Sequence, residues 1–141
     1  MQLNKLVIAS IFVVLFFGVL ELSAQELPKL SGITVEDTHP NGCVDCHAQN
    51  GDKDYRLITG LKYIKDHPDI NVKVKIVPKD CLECHKSKEE GGPLNLITHK
   101  AHYQNPQENN YIKFYQGDCL GCHSIDAATV KVSMKNGPKN W

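Results

Sequence analysis

The first strong feature along the chain is an uncharged, mainly apolar run from Leu6 to Leu20, preceded by Lys5 and followed by Leu22-Ser23-Ala24. A positive start, an apolar stretch of 15 residues and a small residue before Gln25 make residues 1–24 a cleaved secretory signal. The run is short for a bilayer-spanning helix, which takes about 20 residues. An uncleaved anchor is the competing reading, because Leu22 is larger than the residue usual at that place. Beyond the leader, apolar patterning is sparse. Residues 25–38 read as an extended approach and Thr38-His39-Pro40-Asn41-Gly42 as a turn. Leu57, Ile58, Leu61 and Ile64 predict an amphipathic helix over Arg56 to Asp66, stopped by Pro68. Ile70, Val72, Val74 and Ile76 alternate with polar residues and predict a strand. Residues 86–93 are a loop, Leu94 to Tyr103 is helical, and Asp126 to Trp141 reads as a loop-like tail.

Charge adds little. Without the leader, 117 residues carry 15 basic and 15 acidic side chains, a balance that gives no electrostatic case for nucleic acid. A chain of that length can bury an ordinary core, but this one has few apolar residues with which to do so.

The cysteines change the picture. All six fall in three copies of one pentapeptide pattern: Cys43-Val44-Asp45-Cys46-His47, Cys81-Leu82-Glu83-Cys84-His85 and Cys119-Leu120-Gly121-Cys122-His123. Their first cysteines stand at 43, 81 and 119, an even step of 38 residues. C-x-x-C-H is the attachment signature of a c-type haem. The two thiols add across the vinyl groups of one porphyrin, and the adjacent His becomes the proximal iron ligand. Structural zinc needs two paired clusters per metal, and three identical triplets do not pair off. A disulfide framework has no need of a His after every second Cys. Three covalently bound haem c groups follow, at about 39 residues each (117 residues shared by three haems). The porphyrins are then the expected core, and no stable fold is expected without them. The fold class expected is a small haem-dominated one, mostly loops, with a few short α-helices and at most a minor β-hairpin. Tyr111–Tyr115 matches Lys73–Val77 at the same 38-residue offset, which reads as an internal repeat of the second and third units.

Seven histidines are present. With His47, His85 and His123 proximal, His39, His67, His99 and His102 remain for three distal positions. The only methionine after the leader is Met134, so Met ligation serves one haem at most and bis-histidine ligation of all three is the economical reading. His99 and His102, at i and i+3, share one helix face and are expected to serve two different irons. His39 stands too few residues before Cys43 to round its own porphyrin. His67 is able to reach the first or second iron, and the surplus histidine is either His39 or His67.

The three C-x-x-C-H motifs, His99-Lys100-Ala101-His102 and the His39-x-x-x-Cys43 spacing resemble the class III, cytochrome c3/c7-like multihaem cytochromes in their three-haem form. The resemblance covers residues 38–124. It implies a cytochrome c3/c7-like fold, an exported, periplasmic electron carrier and low-potential bis-histidine haems. In c7 proteins the H-x-x-H pair precedes the first haem, whereas here it precedes the last. Three functions are compatible with these features. Electron transfer between redox partners, without catalysis, is the expected one. A subunit of a larger respiratory complex, such as a membrane quinol oxidase or terminal reductase, or a self-assembling filament is the second. An oxyanion reductase is the third, and the surplus of distal histidines argues against the open iron it would need.

Overall fold

The computed structural model describes residues 26–86 and 91–141, so the signal expected over 1–24 and half of the loop expected over 86–93 lie outside the described residues. The elements are short. In chain order they are α1 (Cys43–Cys46), β1 (Gln49–Asn50), β2 (Lys53–Asp54), α2 (Leu57–Leu61), β3 (Ile76–Val77) and a 3-10 turn at Lys79–Glu83. Then follow α3 (Leu94–Tyr103), α4 (Asn110–Tyr115), a second 3-10 turn at Cys119–Gly121, β4 (His123–Ile125), β5 (Val132–Met134) and β6 (Gly137–Pro138). No described helix is long and apolar enough to cross a membrane.

Among the described residues are three two-stranded antiparallel sheets (β1 with β2, β3 with β6, β4 with β5), more strand than the single hairpin expected. The excess comes from the tail. Instead of trailing as a loop, residues 132–141 run through all three cysteine units. Val132–Met134 pairs with Ile125–His123 of the third unit. Gly137 and Pro138 pair with Val77 and Ile76 just ahead of the second. Asn140 then donates from Nδ2 to the carbonyls of Val44 (2.9 Å) and His47 (2.8 Å) in the first. Gly137 passes so close to α1 that a Cβ there would stand 2.6 Å from Val44 Cγ2, a distance no side chain tolerates.

The strand expected over Ile70–Ile76 forms only at its end. Asp69 Oδ1 accepts Asn71 N at 2.8 Å and Val74 N donates to Ile70 O at 3.0 Å, which winds residues 70–74 into a turn. That turn buries Val74 and leaves Val72 exposed. Ahead of the third unit the matching segment is helix α4, so the 38-residue echo is one of sequence and not of backbone.

Among the described residues only Val44, Val74, Val77 and Leu120 are buried apolar side chains. Val44, Val74 and Val77 form one small cluster, with Cys43, Leu57, Ile70 and Trp141 packed around it. Lys135 is buried too. Its ammonium pairs with Asp37 at 2.8 Å and donates to Leu120 O, joining the N-terminal approach to the third unit through the tail. The hydrogen bond from Lys135 holds the Asp37 carboxyl below its ordinary value of 3.8. A carboxyl so lowered adds stability above its ordinary range and loses it as pH falls through the lowered value. Asp37→Ala should therefore cost about 2–3 kcal/mol in urea unfolding at neutral pH. Stranding a buried charge costs about 3–5 kcal/mol, discounted here because Asp37 is partly exposed. Adding Lys135→Met should recover much of that loss, whereas a single Asp37→Ala with no measurable cost would show the pair to be inert.

Candidate metal centres

Each cysteine unit is a single tight turn fixed by an aspartate. Asp45 accepts Asn41 N (2.7 Å) and Asn41 Nδ2 (3.0 Å). Asp80 accepts the amides of Lys75 and Ile76, both at 2.8 Å, and Asp118 accepts Leu120 N at 2.9 Å. Within the first two turns the histidine amide donates back to the first cysteine (His47 N to Cys43 O, 2.8 Å; His85 N to Cys81 O, 2.9 Å). One helical turn brings side chains at i and i+3 to the same side, so both thiols of a unit face one partner. All six cysteines are free thiols.

Burial pushes the Cys43 thiol up to about 11, with Cys122 and Cys81 nearby adding to the effect. Cys46, Cys81 and Cys122 are also raised, burial again first. A redox-active C-x-x-C works through a thiol lowered well below its usual value. These four move the opposite way.

Every motif histidine lies close to a second histidine. The ring centroids of His47 and His102 are 6.0 Å apart, those of His85 and His67 6.2 Å, and those of His123 and His99 6.1 Å. Iron held about 2.0 Å from each coordinating nitrogen, with each ring centre about 1 Å further back, needs about 6 Å between centroids. Helix α3 therefore sends His99 to the third motif and His102 to the first. His39 is in ring contact with no other histidine among the described residues, and its Nδ1 lies 2.9 Å from Thr38 Oγ1. Met134 is the cross-strand neighbour of His123 on β5 and so lies beside it, not opposite it.

Four of the six paired rings turn Nδ1 toward a backbone carbonyl: His47 to Tyr55 O (3.2 Å), His67 to Pro68 O (3.0 Å), His85 to Gly91 O and Gly92 O (both 3.2 Å), and His102 to Thr98 O (2.8 Å). A carbonyl only accepts, so the proton sits on Nδ1 and the Nε2 lone pair is free for a metal. His123 Nδ1 is buried without a partner. Burial lowers His47 below its usual value, which favours the neutral imidazole that binds metal. No group of three or more His, Cys, Asp or Glu side chains among the described residues is arranged to hold a bare metal ion. Two imidazoles per site would suit a metal that brings its other ligands with it, as iron in a porphyrin does. The donor set thus fits three haems.

No protein-family model, curated protein or solved structure matches the chain.

Several contributors had no signal in the sequence. Asn140 reaches the His47 carbonyl across 93 residues, and Tyr111 packs its ring 5.0 Å from that of His102. Gly91 had a signal, since a glycine pair six residues after His85 marks a close approach. A Cβ at Gly91 would stand 2.8 Å from His85 Cε1.

Proposed function

We propose that the protein is an exported electron carrier, similar to the class III multihaem cytochromes, that holds three haem c groups through Cys43/Cys46, Cys81/Cys84 and Cys119/Cys122. Its axial ligands are His47 with His102, His85 with His67, and His123 with His99. The observation that carries this reading is the set of three opposed imidazole pairs, each about 6 Å across and each including a C-x-x-C-H histidine. Bound there, haem c supplies a one-electron Fe(III)/Fe(II) couple. With a histidine of each pair on either side, the three irons would have no position left for a substrate, which favours a carrier over an oxyanion reductase. Strong imidazole donors favour the ferric state and keep potentials low. The carbonyls on Nδ1 fix the ring orientations and raise ligand basicity. With so little apolar core of its own, the chain is ordered around the porphyrins.

Mass spectrometry of the exported protein should show three covalent haems and no alkylatable cysteine. The ferrous protein should leave its Soret band unmoved under CO, because every iron already has six ligands. Two haems with free thiols, or a CO-shifted band, would overturn the assignment.

A further inference from the structure

The three histidine pairs are not alike. His67 and His85 are inclined by 18° and His99 and His123 by 15°, so both pairs are near parallel, whereas His47 and His102 are inclined by 82°. Two restraints hold His102 in that attitude. Its Nδ1 donates to Thr98 O at 2.8 Å along helix α3. Across from it stands Tyr111, whose ring meets the imidazole at 5.0 Å and 77°. Tyr111 is itself firmly seated. Its hydroxyl donates to Asp118 O, and its ring packs against Tyr103 (5.8 Å, 77°) and Tyr115 (5.8 Å, 24°). The hydroxyl also lies 3.1 Å from where a Cβ on Gly121 would be. His47, on the other side, is held to Tyr55 O at 3.2 Å.

We infer that Tyr111 is a positioning residue that keeps the His102 imidazole crosswise to that of His47, so that one haem of the three has crossed axial rings and two have parallel ones. The inference rests on the bis-histidine assignment given above. Its physical basis is the filled π orbital that each imidazole carries perpendicular to its plane. Two parallel rings act on the same iron d orbital and split it from its partner. Two crossed rings act on one orbital each and leave the pair nearly degenerate. Axial-ligand geometry is one of the levers by which a protein tunes haem iron. The first haem thus differs electronically from the other two although all three have the same ligand atoms. Because Tyr111 bonds to the residue before Cys119, the distal ring of the first haem is also braced by the attachment turn of the third.

Low-temperature EPR of the oxidised holoprotein tests this, alongside a pyridine assay of haem content. Parallel pairs give an ordinary rhombic low-spin spectrum, and a crossed pair gives a single, strongly anisotropic low-field feature. The expected result is three haems, with one third of the low-spin intensity in the anisotropic feature and two thirds in rhombic signals. His102→Ala should abolish the anisotropic feature and replace it with a high-spin signal. Tyr111→Phe, which keeps the ring, should retain it. Tyr111→Leu and Tyr111→Ala should convert it to a third rhombic signal with haem content unchanged. Three rhombic signals in the unsubstituted protein would overturn the inference while leaving bis-histidine ligation intact. High-spin iron or fewer than three haems in that protein would instead defeat the underlying assignment. An anisotropic signal that survives in Tyr111→Leu would overturn the role of Tyr111.

Discussion

His102→Ala, His99→Ala and His67→Ala should each open one iron, at the first, third and second motif respectively, while His39→Ala should leave all three low-spin. Each of the first three variants loses the imidazole opposite its motif histidine, which stands about 6 Å away across the site. The ferric spectrum should gain a high-spin component and the ferrous protein should bind one equivalent of CO per chain, against none before substitution. The potential of the opened haem should rise, because a strong donor to Fe(III) has gone. His99→Ala combined with His102→Ala should bind two equivalents, since one helix serves two irons. His39 is the informative control, because composition alone left it level with His67. CO binding in His39→Ala, with none in His67→Ala, would mean that the second motif draws its ligand from elsewhere.

Removal of residues 135–141 should have the largest effect on stability of any change considered. The deletion takes away the buried ion pair of Lys135 with Asp37, the β6 partner of Val77, both Asn140 bonds to the first unit and the Trp141 contact with the valine cluster. Loss of the ion pair alone is worth about 3–5 kcal/mol when one charge stays buried, but here the buried cation is removed and the partner that stays, Asp37, is partly exposed. The sum of the remaining contacts still compares with the whole of a small domain's stability, about 5–15 kcal/mol. Haem-loaded protein lacking these residues should be cut by protease at least a hundredfold faster than the full chain. Haem content should hold, because thioether bonds do not depend on the tail. A truncated protein as resistant as the full chain would show that the porphyrins alone hold the three units together.

The candidate site was more legible than the fold, for a physical reason. Covalent attachment and axial ligation need particular residue types at fixed spacing within five residues, so the chemistry is written locally at 43–47, 81–85 and 119–123. The proposed distal ligands sit on other segments, and for these sequence alone supplied the pairing logic of His99 and His102 but not the choice between His39 and His67. That choice depends on where the turn at residues 70–74 carries the chain. Helix α3 was readable from its period, and α2 formed over only Leu57–Leu61 of the longer stretch expected. The strand over Ile70–Ile76 was misread because alternation is a burial pattern, and here Asp69 and Asp80 capture the amides that a strand would have used. The tail was misread because its apolar alternation, Val130, Val132 and Met134, is only three residues long and those side chains stay exposed. Its order comes from backbone pairing with Ile76 and Val77 and from long-range bonds to the first unit.

The tail also sets a sequence of events. Strands β5 and β6 follow all three attachment motifs along the chain, so the ribosome makes them after every cysteine pair has been made. Until they dock, the edge of β3 is open, Asn140 has not reached the His47 carbonyl, and Gly137 has not closed over Val44. If the three haems proposed above are attached before the tail docks, the attaching enzyme meets three unclasped pentapeptides.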